Sequence, residues 1–213
     1  GLFYASGFPI LGSTYYFALG PIIGFILLGT QLKYSLFKKS IFHWLAFSLG
    51  FYILGFNWIP YTLYEFGQIP SPFNYLLGLG STLIILPPIL ILLLLFHLIK
   101  NTSFIKKTNL LSNHIFCSFL VTIFLEYLPT QFPAFPGHSW LFMTPFLKLA
   151  PYLGEISFTF ISFLISFTLI EWITKKKLNI LNTSIACVFI LINIILPGNT
   201  SSLRSKKSLN LRI

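Results

Sequence analysis

The sequence predicts an all-α integral membrane protein, a polytopic bundle of about seven transmembrane helices. Of its 213 residues, 55% are hydrophobic and only 8% are charged, whereas a soluble domain carries about 25% charged residues. Aromatic residues make up 18% of the chain, which excludes a disordered chain, because disorder requires low hydrophobicity. At about 20 apolar residues per spanning helix, this length allows roughly six or seven crossings with short connectors.

Seven apolar segments, bounded by charged or turn residues, are the predicted spans. They cover about residues 1–11, 15–31, 41–60, 73–99, 109–128, 149–173 and 178–196. The fourth segment would exceed the hydrocarbon core of about 30 Å as one helix, so we expect it to tilt or to bend at Pro87 and Pro88. Residues 129–145 contain four prolines among aromatics. We expect them to form a loop that lies in the membrane interface or dips into the protein.

The positive charge is distributed in a way that indicates membrane orientation. A formal charge of +10 would suggest nucleic acid binding in a soluble protein, but here the lysines lie between apolar segments, so no nucleic acid partner is expected. Only Lys148 lies in the opposite short loops. The positive-inside rule therefore predicts a cytoplasmic N-terminus and a periplasmic C-terminal tail. The lysines on the predicted cytoplasmic side are Lys33, Lys38, Lys39, Lys100, Lys106, Lys107, Lys175, Lys176 and Lys177.

Two regions follow from this reading of the chain. Residues 1–197 are the predicted transmembrane helical domain, and residues 198–213 are an extracytoplasmic linker with the start of a further domain. The last six residues alternate polar and apolar side chains, which is typical of a β-strand. Since the chain also begins at Gly1 without an initiator Met, we interpret it as a fragment cut before a β-containing domain.

The acidic residues are the first candidates for a functional role, because an ionised side chain at a helix centre costs about 2.5 to 3.5 kcal/mol. There are four, all Glu. Glu171 adjoins a lysine run and is expected to be interfacial, near its counter-ions. Glu155 is expected to favour the positive N-terminus of the sixth helix. For Glu65 and Glu126, a structural or solvated role and a functional role both remain open.

Other side chains give weaker signals. Trp58 is expected to anchor in the interfacial aromatic belt, and Asn57, at the end of the third segment, would need a hydrogen-bond partner inside a helix. Asp is absent, and the two thiols, Cys117 and Cys187, lie within apolar segments. The sequence therefore predicts no catalytic residue set, no metal site and no cofactor within this chain.

Several short motifs, in a consistent order, resemble the bacterial apolipoprotein N-acyltransferases. The most informative is Asn57-Trp58 followed by Glu65-Phe66. Glu126 with the later Phe-Pro pair is similar to that family's Glu and its following loop, although Pro129 and Gly137 depart from the family's usual basic residue and Trp. The other motifs are residues 2–9, Pro70, Pro72, residues 147–151 with Gly154, and the strand-like residues 209–213.

The resemblance implies an acyltransferase of the bacterial cytoplasmic (inner) membrane. A family member transfers an acyl chain from a phospholipid donor to the N-terminal amine of a diacylglyceryl apolipoprotein, using a Cys, Glu and Lys of a nitrilase-like domain. Those catalytic residues would lie outside this chain, so the chain alone is expected to be inactive and to bind membrane lipids and both substrates. The residues expected to bind substrate are Asn57, Trp58, Glu65, Phe66 and Glu126.

Two alternatives come from other functional classes. In a small transporter or permease, Pro87-Pro88 and the proline-rich loop would mark broken helices along a substrate path. A purely structural membrane subunit would show no dependence on lipid.

Overall fold

Helices account for all the regular structure in the part of the chain that the structure describes. The computed structural model describes residues 1–8, 16–85, 114–127, 135–141 and 148–196, and no strand occurs among them. The all-α class is thus confirmed. The bend expected at Pro87-Pro88 and the strand-like tail lie outside the described residues. In chain order the helices are α1 (Leu2–Ala5), α2 (Gly20–Tyr34), α3 (Phe37–Gly55), α4 (Ile59–Glu65), α5 (Phe73–Ile85), α6 (His114–Tyr127), α7 (His138–Leu141), α8 (Ala150–Lys175) and α9 (Ile180–Ile195).

Helix α8 is the described helix that is long and apolar enough to cross a membrane by itself. Pro151 lies in its first turn, where a missing N–H costs no hydrogen bond. Its end is marked by Lys176, which adopts a left-handed conformation with φ of 57°. These bounds agree with the predicted sixth segment. Gly154 interrupts the helix near its start with φ 67° and ψ 174°, a conformation that is essentially restricted to glycine.

Several hydroxyl groups of α8 donate to carbonyls of the same helix. Ser162 Oγ donates to the carbonyl of Phe158 at 2.8 Å, and Ser166 Oγ donates to the carbonyl of Ser162 at 2.7 Å. Thr168 Oγ1 donates in the same way to the carbonyl of Leu164 at 2.7 Å. Such bonds to the carbonyl four residues earlier allow hydroxyl groups to be buried among apolar neighbours.

The remaining apolar helices are shorter or broken. Residues Lys38–Gly55 and Ile59–Glu65 qualify as a span only together, and they are bent by 62°. Three further apolar helices among the described residues have 10–17 residues, namely Gly20–Lys33, His114–Tyr127 and Ile180–Ile195. The third predicted segment is therefore interrupted rather than continuous, and the first helix ends at Ala5 instead of near residue 11. The number of seven crossings remains a prediction.

An aromatic cluster joins the first three helices. Tyr4 of α1 is buried, and its ring centroid lies 5.1 to 5.4 Å from those of Phe25, Phe47 and Phe51. Gly24 permits this approach, because a Cβ there would come within 2.9 Å of the Tyr4 backbone nitrogen. Small residues at helix contacts of this kind are typical of membrane bundles. Helix α1 is thereby fixed between α2 and α3.

The described helices give the bundle two distinct ends. At the lysine end, α2 and α8 finish while α6 and α9 begin, as the contacts of Lys33 with Thr174 and of His114 with Asn182 show. Helix α3 follows α2 there after a short turn. At the opposite end, α3 and α6 finish and α8 begins. The described lysine-rich connectors, residues 33–39 and 175–177, thus lie at one end, and the five residues predicted to bind substrate lie at the other.

Candidate functional site

Four of the five predicted substrate-binding residues lie in or just beyond the corner between α3 and α4. Asn57 and Trp58 are within it, and Glu65 and Phe66 lie at the far end of the seven-residue helix α4. Helix α3 ends at Gly55 and α4 begins at Ile59, with a proline in its first turn. Phe56, within the corner, is buried, and its ring centroid lies 5.0 Å from that of Phe51. Trp58 occupies the N-cap position of α4, with its ring 6.3 Å from Phe56. Buried aromatic contacts therefore fix the direction in which the chain turns.

Helix α5 secures the corner from the other side. Asn74, only 4% exposed, donates from Nδ2 to the carbonyl of Pro60 at 3.1 Å. Gly78 lies so close that a Cβ there would come within 2.8 Å of both the Pro60 ring and the Tyr52 hydroxyl. The start of α4 is thus held by a buried hydrogen bond and by close packing against α5.

Three of these four residues present their side chains outward. Asn57 and Glu65 are exposed, Phe66 is 84% exposed, and Trp58 is half-buried. Asn57 lies in the corner rather than inside a helix, so the need for an intrahelical partner does not arise. A fixed scaffold therefore presents an amide, a carboxylate and an aromatic ring to the surroundings.

Glu126 lies on a different helix from the other candidates. It occupies the last turn of α6 and is exposed. Since α6 begins at the lysine end and rises about 20 Å over 14 residues, Glu126 lies at the opposite end, as the corner does. Among the described residues, no hydrogen bond or ion pair joins it to Asn57 or Glu65. The structure thus places two candidates in the corner, two about 10 Å further along α4, and the fifth at the same end of the bundle.

A histidine and a glutamate form a pair at the opposite end that the sequence did not indicate. His138 Nδ1 accepts the backbone N–H of Phe135 at 3.2 Å, so the ring proton resides on Nε2. That atom lies 2.6 Å from Glu155 Oε1. Glu155 therefore has a specific partner in addition to its position near the helix start. The two residues are far apart in sequence and follow no motif, so nothing in the pattern predicted the contact.

The proline-rich loop packs on α8 in its described part. The Gly137 N–H donates to Thr159 Oγ1 at 3.2 Å, and the Trp140 indole donates to Ser162 Oγ at 2.8 Å. Gly137 and Trp140 are both buried. For residues 135–141, the expectation of a loop that dips into the protein is confirmed. A Cβ at Gly137 would meet Thr159 directly, so the close packing of the loop on α8 requires glycine here.

A second polar cluster lies at the lysine end, centred on Glu171. Its Oε2 lies 3.2 Å from His114 Nε2, and its Oε1 accepts a hydrogen bond from Lys175 at 2.9 Å. His114 Nδ1 lies 3.0 Å from the Asn182 amide nitrogen. The expectation that Glu171 lies near its counter-ions is confirmed. The links to α6 and α9 were missed, because each joins residues distant in sequence.

Lys33 extends this cluster to α2. Its ammonium group donates to Thr174 Oγ1, and Thr174 in turn donates to the Ile170 carbonyl at 2.7 Å. Four helices therefore meet in one polar cluster. Its internal pairing indicates a role in holding the bundle together.

The chemistry available at the opposite end is recognition. In the described ranges, no group of three or more His, Cys, Asp or Glu side chains is placed to hold a metal ion. Exposed carboxylates and an exposed amide accept hydrogen bonds from an ammonium group or a lipid headgroup. The exposed Phe66 and the half-buried Trp58 suit the boundary between acyl chains and headgroups.

Comparison with known proteins gives one result. A family model described as "Apolipoprotein N-acyltransferase N-terminal domain" matches residues 1–194. Neither a curated protein nor a solved structure matches the chain. The family match covers almost the whole sequence, including the corner, Glu126 and the His138–Glu155 pair.

Proposed function

The chain belongs to the family of apolipoprotein N-acyltransferase N-terminal domains, and from this premise we propose that it anchors the enzyme in the membrane and positions its lipid substrates. The family is that of an acyltransferase of the bacterial inner membrane. The match over residues 1–194 is the observation that carries the proposal. Family membership gives no support to a transporter or to a purely structural subunit.

The proposed reaction is acyl transfer in two steps. A cysteine thiolate of a nitrilase-like domain attacks an ester carbonyl of the phospholipid, the ester C–O bond breaks, and a lysophospholipid leaves. The N-terminal amine of the diacylglyceryl apolipoprotein then attacks the thioester. An amide forms and the thiol is regenerated, which is ordinary nucleophilic catalysis.

The corner is proposed to hold the reacting lipids near that catalytic domain. Its supports are the buried Phe56 and the Asn74 bond to Pro60, while Asn57 and Glu65 remain exposed. A rigid support with free polar groups suits the placement of a headgroup or of an amine, because proximity alone supplies several kcal/mol of a barrier. Glu126, exposed at the same end, is proposed to attract the ammonium form of the acceptor.

The proposed orientation follows from the lysines. Lys33, Lys38, Lys39 and residues 175–177 lie at one end of the described bundle, which the positive-inside rule places in the cytoplasm. The corner and Glu126 then face the periplasm. We propose that the bundle crosses the membrane about seven times in all.

A substitution experiment in the complete enzyme tests the site. We expect Asn57→Ala and Glu126→Ala each to lower kcat/KM for transfer from a phospholipid to a diacylglyceryl peptide by about tenfold, the equivalent of about 1.4 kcal/mol. Lys39→Ala, an exposed residue at the lysine end, is the control and should transfer normally. Wild-type rates for both site variants, in protein that folds normally, would remove the site assignment.

A further inference from the structure

The described residues leave an open apolar groove between α8 and α9. Its volume is about 510 Å³, within the range of about 300 to 1,000 Å³ that is typical of small-molecule sites. Leu153 and Val188 line it, and each side chain is 52% exposed. The α9 wall of the groove includes one polar residue, Ser184, which is also exposed. The groove therefore opens toward the surroundings of the bundle, and almost all the atoms that an occupant would contact are apolar carbon atoms.

The groove runs along only half of a membrane crossing. On α8 its lining extends from Leu149 to Ile161, and on α9 from Ser184 to Ile192. At 1.5 Å per helical residue these stretches measure about 18 Å and about 12 Å. Half of a hydrocarbon core of about 30 Å is about 15 Å. The groove thus matches the depth of one bilayer leaflet.

A lysine stands where the groove reaches the opposite end of the bundle. Lys148 directly precedes Leu149, and its Nζ donates to the carbonyl of Ile194 at 2.6 Å, two residues beyond Ile192. An ammonium group has three N–H donors. In the described ranges, the Ile194 carbonyl accepts one of them, so the Lys148 side chain places positive charge at the end of an apolar half-membrane groove.

We propose that this groove binds one acyl chain of a phospholipid, with the lipid phosphate at Lys148. A single acyl chain matches the length and the apolar lining, and the phosphate matches the charge at the end. A helix from a protein partner would need contact along the whole crossing, about twice the length that the groove provides. The site is separate from the corner and does not depend on the proposed acyl transfer.

Photocrosslinking in nanodiscs tests the proposal with the full chain. The discs contain phosphatidylethanolamine and phosphatidylglycerol, with a trace of phosphatidylglycerol that carries a diazirine midway along one acyl chain. We expect label on α8 and α9 at groove residues such as Leu153 and Val188. Ser184→Phe fills the groove and should lower that labelling about tenfold, whereas Cys187→Phe, on another face of the same helix, should leave it at the wild-type level.

Two further variants separate the contributions of shape and charge. Val188→Trp fills the same groove by a different substitution and should reduce labelling as Ser184→Phe does. Agreement between the two variants excludes misfolding of one of them as the cause of the lower labelling. Lys148→Gln keeps an N–H donor for Ile194 but removes the charge, and should lower labelling about fivefold, the equivalent of about 1 kcal/mol for one lysine at a membrane surface. Label spread evenly around α9, or equal labelling in all variants, would overturn the proposal.

Discussion

His114 and Glu171 lie 3.2 Å apart, from Nε2 to Oε2, and join α6 to α8 at the lysine end of the bundle. The other ring nitrogen of His114 lies 3.0 Å from the amide nitrogen of Asn182 on α9. Since an amide N–H₂ group only donates, Nδ1 accepts and Nε2 carries the proton toward Glu171. One neutral imidazole therefore satisfies partners on two other helices.

The first prediction concerns this imidazole. His114→Ala leaves the buried Asn182 amide and the shielded Glu171 carboxylate without their common partner, so the free energy of unfolding should fall by about 1 to 3 kcal/mol. His43→Ala, a partly exposed position on α3, is the control and should change stability little. Thermal unfolding in detergent provides the measurement, and equal midpoints for the two variants would contradict a bridging role.

The second prediction concerns the loop that packs on α8. A Cβ at Gly137 would come within 2.7 Å of the Thr159 backbone nitrogen and 2.9 Å of the Glu155 carbonyl. Gly137→Ala should therefore destabilise the protein by about 1 to 3 kcal/mol, the usual cost of overpacking. Gly80→Ala adds the same methyl group inside α5, where nothing lies within 4 Å. It should leave stability unchanged or raise it by up to about 1 kcal/mol, because Ala favours a helix over Gly. A comparison of unfolding midpoints for the two alanine variants tests the contact.

The third prediction distinguishes residues that hold the corner in place from residues of the corner that bind substrate. Asn74→Ala removes the donor to the buried Pro60 carbonyl, so it should lower both stability, by about 1 to 3 kcal/mol, and acyl transfer by the complete enzyme. Asn57→Ala changes an exposed side chain and should lower transfer alone. Unfolding and transfer rates measured on both variants provide the test; a stable, fully active Asn74→Ala variant would show that the bond does not fix the corner.

The fourth prediction concerns orientation. In a background with Cys117→Ser and Cys187→Ser, single cysteines are introduced as Lys39→Cys at the lysine end and Glu65→Cys at the end of α4, both exposed positions. The positive-inside rule predicts that an impermeant maleimide added to the periplasmic side labels only the Glu65→Cys variant, and that the Lys39→Cys variant is labelled after lysis. The reverse pattern would invert the proposed topology.

Local signals predicted the parts of the fold that depend on neighbouring residues. The ends of α8 follow from Pro151 and the lysine run after it, and the structure places them within about two residues of the predicted bounds, the usual uncertainty of helix ends. The pairing of Glu171 with Lys175 likewise depends on a separation of four residues on one helix. Such relationships are visible in the sequence because the partners are close in it.

Relationships between distant residues were not predictable. The sequence favours one continuous span over residues 41–60, which contain no Asp, Glu, Lys or Arg. In the structure the chain bends by 62° after Gly55. The contacts of His114 with Asn182 and of His138 with Glu155 join residues whose meeting depends on helix packing. The sequence thus indicated the candidate residues, while the corner and the exposure of their side chains required the structure.

The hydroxyl groups of α8 have a consequence for biogenesis. Ser162, Ser166 and Thr168 each donate to a carbonyl of their own helix. These hydroxyl groups therefore need no acceptor on a neighbouring helix when the segment leaves the translocon. Newly synthesised α8 can therefore partition into lipid before its neighbours have assembled. The Trp140 indole, which donates to Ser162, then adds its bond to a helix that is already in place.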